Sequence, residues 1–247
     1  MAYCEFAKIY DELINEDIDY KKIGDKVLDI CERYNVDKKS YLDLACGTGN
    51  VSIEIAKQFK EAFAVDLSEE MLRESFEKFK KEKIRSRIVR QDMTELNLNH
   101  KFSLITCVLD STNYIIEDSG IVNYFKSVYN HLEKDGIFIF DINSYYKLSE
   151  VLGNNIYTYN SEEVFYSWEN TFEDSITNMF LTFFIKEGEL YERFEEEHYE
   201  RAYKEEEIEN YLKMANLSVL EKWDGYSNED VNEYSERILY VVKKMEV

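Results

Sequence analysis

The sequence predicts an α/β fold: a mostly parallel, seven-stranded sheet with helices on both faces, interrupted late in the chain by an antiparallel β insert. Three observations carry this. Short apolar runs alternate with amphipathic helical stretches up to Ile142. Two of only 8 glycines, Gly47 and Gly49, fall between the first apolar run and the helix after it. From Tyr157 to about Tyr199 the helix–strand rhythm gives way to aromatic, strand-like stretches. Strands separated by helices of this length argue βαβ units, whose strands pair in parallel.

The elements follow in order. Residues 5–14 and 20–34 space their apolar side chains as helices do, with Ile23, Val27, Ile30 and Tyr34 on one face. Residues 41–45 (YLDLA) read as a buried strand, 50–59 as a helix and 62–66 (AFAVD) as the second strand. Ser68 is placed to cap the next helix, with Glu69 and Glu70 in its first turn and Lys80, Lys81 and Lys83 near its end, all favourable to the helix dipole. Strands follow at 87–90, 102–109 and 136–142, with a helix at 121–132 before the last of them. In the aromatic block, 164–168, 178–185 and 190–198 read as strands, and 186–189 (KEGE) as a hairpin turn. A helix at 204–215 and strands at 217–223 and 237–242 complete the main sheet. The expected division is therefore 1–143 with 202–247 as one domain, and 144–201 as an inserted antiparallel cap.

Composition narrows the function. Of 247 residues, 30 are Lys or Arg and 51 are Asp or Glu, a formal charge of −21. Phosphate backbones and anionic membrane surfaces repel such a chain, so neither nucleic acid nor membrane is an expected partner. At 45% hydrophobic and 15% aromatic the chain has ample material for a core. Proline is absent, which fits a codon bias rather than a structural device. The cysteines (4, 31, 46 and 107) form no C-x-x-C pair and the three histidines no zinc spacing, so a reducing, cytoplasmic setting without a metal is expected. No secretory leader pattern or membrane-length apolar run is evident.

The chemistry concentrates at 42–50, LDLACGTGN. Glycine at such a strand-to-helix turn lets the backbone pass close to a ligand, and the helix start offers free N–H groups to an anion. Sixteen residues on, Asp66 ends the second strand, where a carboxylate can accept from ribose hydroxyls. The dinucleotide fingerprint G-x-G-x-x-G/A shares this geometry, but its third position here is Ser52.

At this point the chain resembles the class I S-adenosylmethionine-dependent methyltransferases, a Rossmann-like family. The resemblance rests on 42–49, on 64–68 (AVDLS) with Met71 and Leu72, on 90–93 (RQDM), on 102–107 (FSLITC) and on 136–141 (GIFIFD), all in the family's order. It implies S-adenosylmethionine as cofactor and S-adenosylhomocysteine as product. Gly47 and the Ala45 backbone would line the methionine portion, with Asp43 helping to hold its amino group, and Gly49 and Leu109 would be further cofactor-binding residues. Asp66 would bind both ribose hydroxyls. Leu67 and Met71 would pack at the adenosine, Asp92 would accept from the exocyclic amine, and Gln91 and Met93 would lie beside it. Asp110 and Tyr114 would lie near the reacting methyl. The stretch 6–11 (FAKIYD) with Asp19 and Tyr20 is similar to the opening helices of sugar-amine N,N-dimethyltransferases and glycine N-methyltransferase, which adds Tyr10 and Tyr20 as cofactor residues. Core packing is the alternative for both, in a chain with 20 Tyr. Some relatives carry a histidine where Tyr114 stands, and a phenol titrating near pH ~10 is a poor base at neutral pH. The methyl of a sulfonium is already activated, so alignment can carry the transfer.

The expected function is methyl transfer to a small-molecule acceptor at an amine nitrogen, by a monomer or homodimer. Residues 1–143 hold 27 acids and 20 bases, and 144–247 hold 24 acids and 10 bases, so the half expected to face the acceptor carries −14 of the −21. A cationic or neutral acceptor suits it. His198 and Arg201 could face that acceptor, or pair with neighbouring glutamates as structural residues. An RNA-modifying methyltransferase, a non-catalytic S-adenosylmethionine-binding module and a dehydrogenase are the other readings. A basic face around the cleft would favour the first, and selective stabilisation by NAD(P) the last.

Overall fold

A computed structural model describes residues 18–245. The predicted helix at 5–14, and Tyr10 with it, lie outside the described residues. Helix α1 (Tyr20–Arg33) is followed by β1 (Ser40–Leu44), α2 (Asn50–Ala56), β2 (Glu61–Asp66), α3 (Glu69–Lys81) and β3 (Ser86–Arg90). Then come β4 (Phe102–Cys107), α4 (Asp118–His131) and β5 (Leu132–Asn143). An antiparallel block of β6 (Ile156–Asn160), β7 (Val164–Glu173), β8 (Ile176–Glu187) and β9 (Leu190–Arg201) precedes α5 (Glu205–Met214), β10 (Leu217–Asp224) and β11 (Arg237–Lys244).

The main sheet has seven strands in the order β10-β11-β5-β4-β1-β2-β3. The five strands from β1 to β5 pair in parallel, while β11 runs antiparallel to β5 and β10 to β11. The fold is the predicted one. Alternation along β1 explains the two helical layers. Tyr41 points to the side where Ile23, Val27 and Ile30 of α1 pack with Val51, Ile55 and Phe79. Leu42 and Leu44 point to the other side, against Tyr124, Phe125 and Val128 of α4 and Ile208 and Leu212 of α5. Ser68 caps α3 as expected, accepting from the Met71 N–H at 3.2 Å.

The antiparallel sheet has four strands, β6-β7-β8-β9, one more than the three the sequence suggests. β6 is exposed along its whole length, so no alternation of apolar and polar residues marks it. A single helical turn, Lys147–Leu152, precedes it and was likewise not apparent in the sequence. That turn matters for docking. Leu148 and Leu152 pack with Met179 and Ala202, against which Trp168, Phe172 and Leu181 lie. At the other root of the insert, Arg201 grips the main domain. Its guanidinium donates to Asp118 Oδ1 at 2.6 Å and lies over the Tyr203 ring at 4.6 Å. Arg201 is thus a structural residue. No helix among the described residues is long and apolar enough to cross a membrane.

Candidate active site

The chain reverses direction across the sheet between β1 and β4, and in open α/β sheets the crevice at that switch point is where ligands bind. The turns leaving β1, β2, β3 and β4 meet there. They line a cleft of about 610 Å³, within the range of small-molecule sites, and a smaller chamber of about 70 Å³. Ala45, Gly47 and Ser111 line both, so the two are parts of one site.

The turn after β1 is shaped by backbone conformations that side chains resist. Ala45, Gly47 and Gly49 all have positive φ, at 52°, 54° and 82°. The two glycines serve different ends. A Cβ at Gly47 would meet nothing within 4 Å, because it would project into the cleft. A Cβ at Gly49 would lie 2.7 Å from Ser75 Oγ and 3.1 Å from the Phe79 ring. Gly49 therefore allows α2 to start against α3 and is not among the residues lining either chamber.

Asp66 holds this turn. One carboxylate oxygen accepts from the Gly47 N–H at 2.8 Å and the other from the Ser68 N–H at 2.9 Å. Both interactions leave acceptor capacity on the cleft side. Next to it Leu67 is 59% exposed, an apolar side chain laid open on the cleft wall with Met71 and Met93 nearby. Asp92 Oδ1 accepts from both the N–H and the hydroxyl of Thr94 at 2.7 Å, and its second oxygen makes no such bond among the described residues. Gln91 also lines the cleft, but its side-chain amide is turned to the backbone of Asn97, with bonds of 2.9 and 3.2 Å.

Tyr20, Asp43 and Leu109 line the smaller chamber. Asp43 is buried and accepts from Thr106 Oγ1 at 2.6 Å and from Ser52 Oγ. Burial pushes its carboxyl up to about 6, opposed by those two hydroxyls. It ties β1, β4 and α2 together behind the chamber.

The loop after β4 places the two predicted catalytic residues differently. Tyr114 is 46% exposed and lines the cleft. Asp110 is not among the lining residues: its carboxylate accepts from Arg237 at 2.7 Å. Leu109 and Asp110 both have positive φ, and Asp141, fully buried at the end of β5, accepts from both of their N–H groups at 2.9 and 2.7 Å. Asp141 also accepts from Arg237 at 2.6 Å and from the Tyr226 hydroxyl. The loop is held in shape by a buried charge cluster of which Asp110 is one member.

From the inserted sheet, His198 lines the cleft, with its ring edge-on to Tyr114 at 5.9 Å between centroids. The sequence left its role open, because charged residues occupy both faces of β9 and give no sign of which face turns inward. Ile115, Ile116 and Glu117 are further lining residues not anticipated; all belong to a loop whose course depends on the distant Arg237.

Comparison with known proteins gives this geometry its context. A methyltransferase domain model matches residues 42–136. The crystal structure of an S-adenosylmethionine-dependent methyltransferase from Clostridium acetobutylicum superposes with a TM-score of 0.94, is 54% identical, and covers 100% of both chains. A relative in Geobacillus sp. (strain WCH70), named as a methyltransferase with no acceptor stated, is 33% identical over 99% of this chain and 100% of its own. The dTDP-3-amino-3,4,6-trideoxy-alpha-D-glucopyranose N,N-dimethyltransferase of Streptomyces venezuelae is 26% identical over 56% of this chain and 57% of its own.

Proposed function

The chain belongs to the class I S-adenosylmethionine-dependent methyltransferases, and from that premise we propose that it methylates a small-molecule acceptor at an amine nitrogen. S-Adenosylmethionine supplies a methyl group already activated by its sulfonium, so the protein's task is alignment at short approach distance and exclusion of water.

The residues fit that cofactor. Asp66 would hold the ribose hydroxyls with the capacity its two backbone bonds leave. The free oxygen of Asp92 would accept from the adenine amine, and Leu67 and Met93 would pack on the ring. Ala45, Gly47 and Leu109 would surround the methionine portion in the smaller chamber, with Asp43 and Tyr20 toward its polar end. Tyr114, on the wall shared with the inserted sheet, would face the acceptor.

The observation that carries the amine reading is the charge of the cleft. Asp66, Asp92 and Glu117 line it, and among the described residues neither Lys nor Arg does. A cleft lined with carboxylates concentrates cations and repels phosphates. The net charge of −21 acts in the same sense, and a sugar-amine dimethyltransferase among the relatives is consistent with it. The inserted sheet, on this reading, caps the acceptor side of the cleft.

Methyl-labelled S-adenosylmethionine, offered with matched amines and alcohols and read by mass spectrometry, tests this. Label is expected on nitrogen, with amines favoured over their hydroxyl counterparts by at least about tenfold, since a site that discriminates by one polar contact reaches that level easily. Label only on oxygen, carbon or RNA would contradict it.

A further inference from the structure

Among the described residues the cleft holds one imidazole, that of His198. The other two histidines lie outside the cleft. His131 bonds the Ser127 carbonyl at 2.7 Å and accepts from the Leu98 N–H at 3.1 Å. His100 stacks on Phe63 at 5.0 Å, beside the start of β2 and β4. His198 differs. Among the described residues neither of its ring nitrogens has a hydrogen-bond partner, and the nearest charge is Glu196, 4.0 Å from Nε2. It stands opposite Met179 in the β8–β9 pairing, on the face of the insert turned toward the main domain.

We propose that His198 receives the proton of the acceptor's ammonium group, a role that rests on the amine reading above. An amine reaches the cleft mostly protonated at neutral pH and has no lone pair to use. Its neutral form is favoured next to a sulfonium charge and away from bulk water, but the proton still needs a destination. The acceptor's N–H bond breaks with its electrons left on nitrogen, and the proton passes to a ring nitrogen of His198. The freed lone pair forms the C–N bond as the methyl–sulfur bond breaks onto sulfur. His198 then releases the proton to solvent at the cleft mouth.

The surroundings keep the ring ready for this. Burial lowers the His198 pKa below its usual value, so the imidazole is neutral at pH 7. The titratable groups around it are Glu196 and Glu200 on its own strand face, Tyr114 from the loop after β4, and Glu117 at the start of α4. The facing β8 residues, Thr177, Met179 and Leu181, carry no charge. Tyr114, the residue the loop itself offers, is a phenol and a poor base at this pH.

His198→Gln keeps a polar side chain of similar reach without a titratable ring. With benzylamine, N-methylbenzylamine and an aminodeoxyhexose as probes, the variant is expected to lose about 100-fold in kcat at neutral pH with little change in the KM for S-adenosylmethionine. The deficit should shrink to within about threefold near pH ~9.5, where these amines supply their own lone pair. In the S-adenosylhomocysteine-bound protein, an NMR titration of the three histidines, with the His198 signal identified by its loss in the variant, should place its pKa below about 6.5. A variant as fast as wild type, a deficit that persists at high pH, or a His198 pKa above about 7 overturns the proposal. Wild-type enzyme that binds S-adenosylhomocysteine yet methylates none of the probes overturns the amine reading, and this step with it.

Discussion

Asp66→Ala is expected to weaken S-adenosylhomocysteine binding by at least about 100-fold in calorimetry. A hydrogen bond to a charged group contributes about 1.5–3 kcal/mol, and about 1.4 kcal/mol is a factor of ten, so losing two ribose contacts alone reaches that range. The substitution removes more. The Gly47 and Ser68 N–H groups lose their acceptor, and the turn they fix is the floor shared by both chambers. Asp66→Asn, which keeps one acceptor oxygen, should fall between the two. An alanine variant within about threefold of wild-type affinity would remove Asp66 from the cofactor site.

The second large effect lies away from the cleft. Asp141→Ala is expected to destabilise the protein by about 3–5 kcal/mol in urea unfolding, as does breaking a buried ion pair from one side. Its carboxylate accepts from the Leu109 and Asp110 N–H groups, from Arg237 and from Tyr226, with no exposure to water. Removal leaves two N–H donors orphaned in a turn with positive φ, and leaves Arg237 to Asp110 alone. Lys147, its own pKa lowered by burial and by Arg237, lies near the same cluster, so the charge imbalance spreads to the root of the inserted sheet. A loss below about 1 kcal/mol would mean that the loop keeps its shape without Asp141.

Local features were legible where local physics sets them. The glycine turn, the acid ending β2 and the Ser68 cap are short-range signals, and each element of the main sheet followed from periodicity. The features that escaped were set by distant partners. Phe102 to Leu109 looks like one strand, yet β4 ends at Cys107 because Leu109 turns with positive φ onto Asp141, 32 residues away. Asp110 stands where the resemblance puts an acceptor-side carboxylate, and only Arg237, 127 residues on, shows that it belongs to an ion pair. Gln91 sits in the adenine segment, but its amide is spent on Asn97. His198 is the converse case: β9 is foreseeable as a strand, but only its pairing with β8 decides that Phe194, Glu196, His198 and Glu200 turn inward.

On the proposed function, one continuous site takes the cofactor along β1, β2 and β3 and presents its methyl group to the wall made by Tyr114 and His198. A crystal structure with S-adenosylhomocysteine tests it most directly. Ribose hydroxyls are expected on Asp66, adenine against Leu67 and beside Asp92, and the thioether sulfur facing the space between Tyr114 and His198. Adenine bound elsewhere, or a sulfur directed away from that wall, would contradict it.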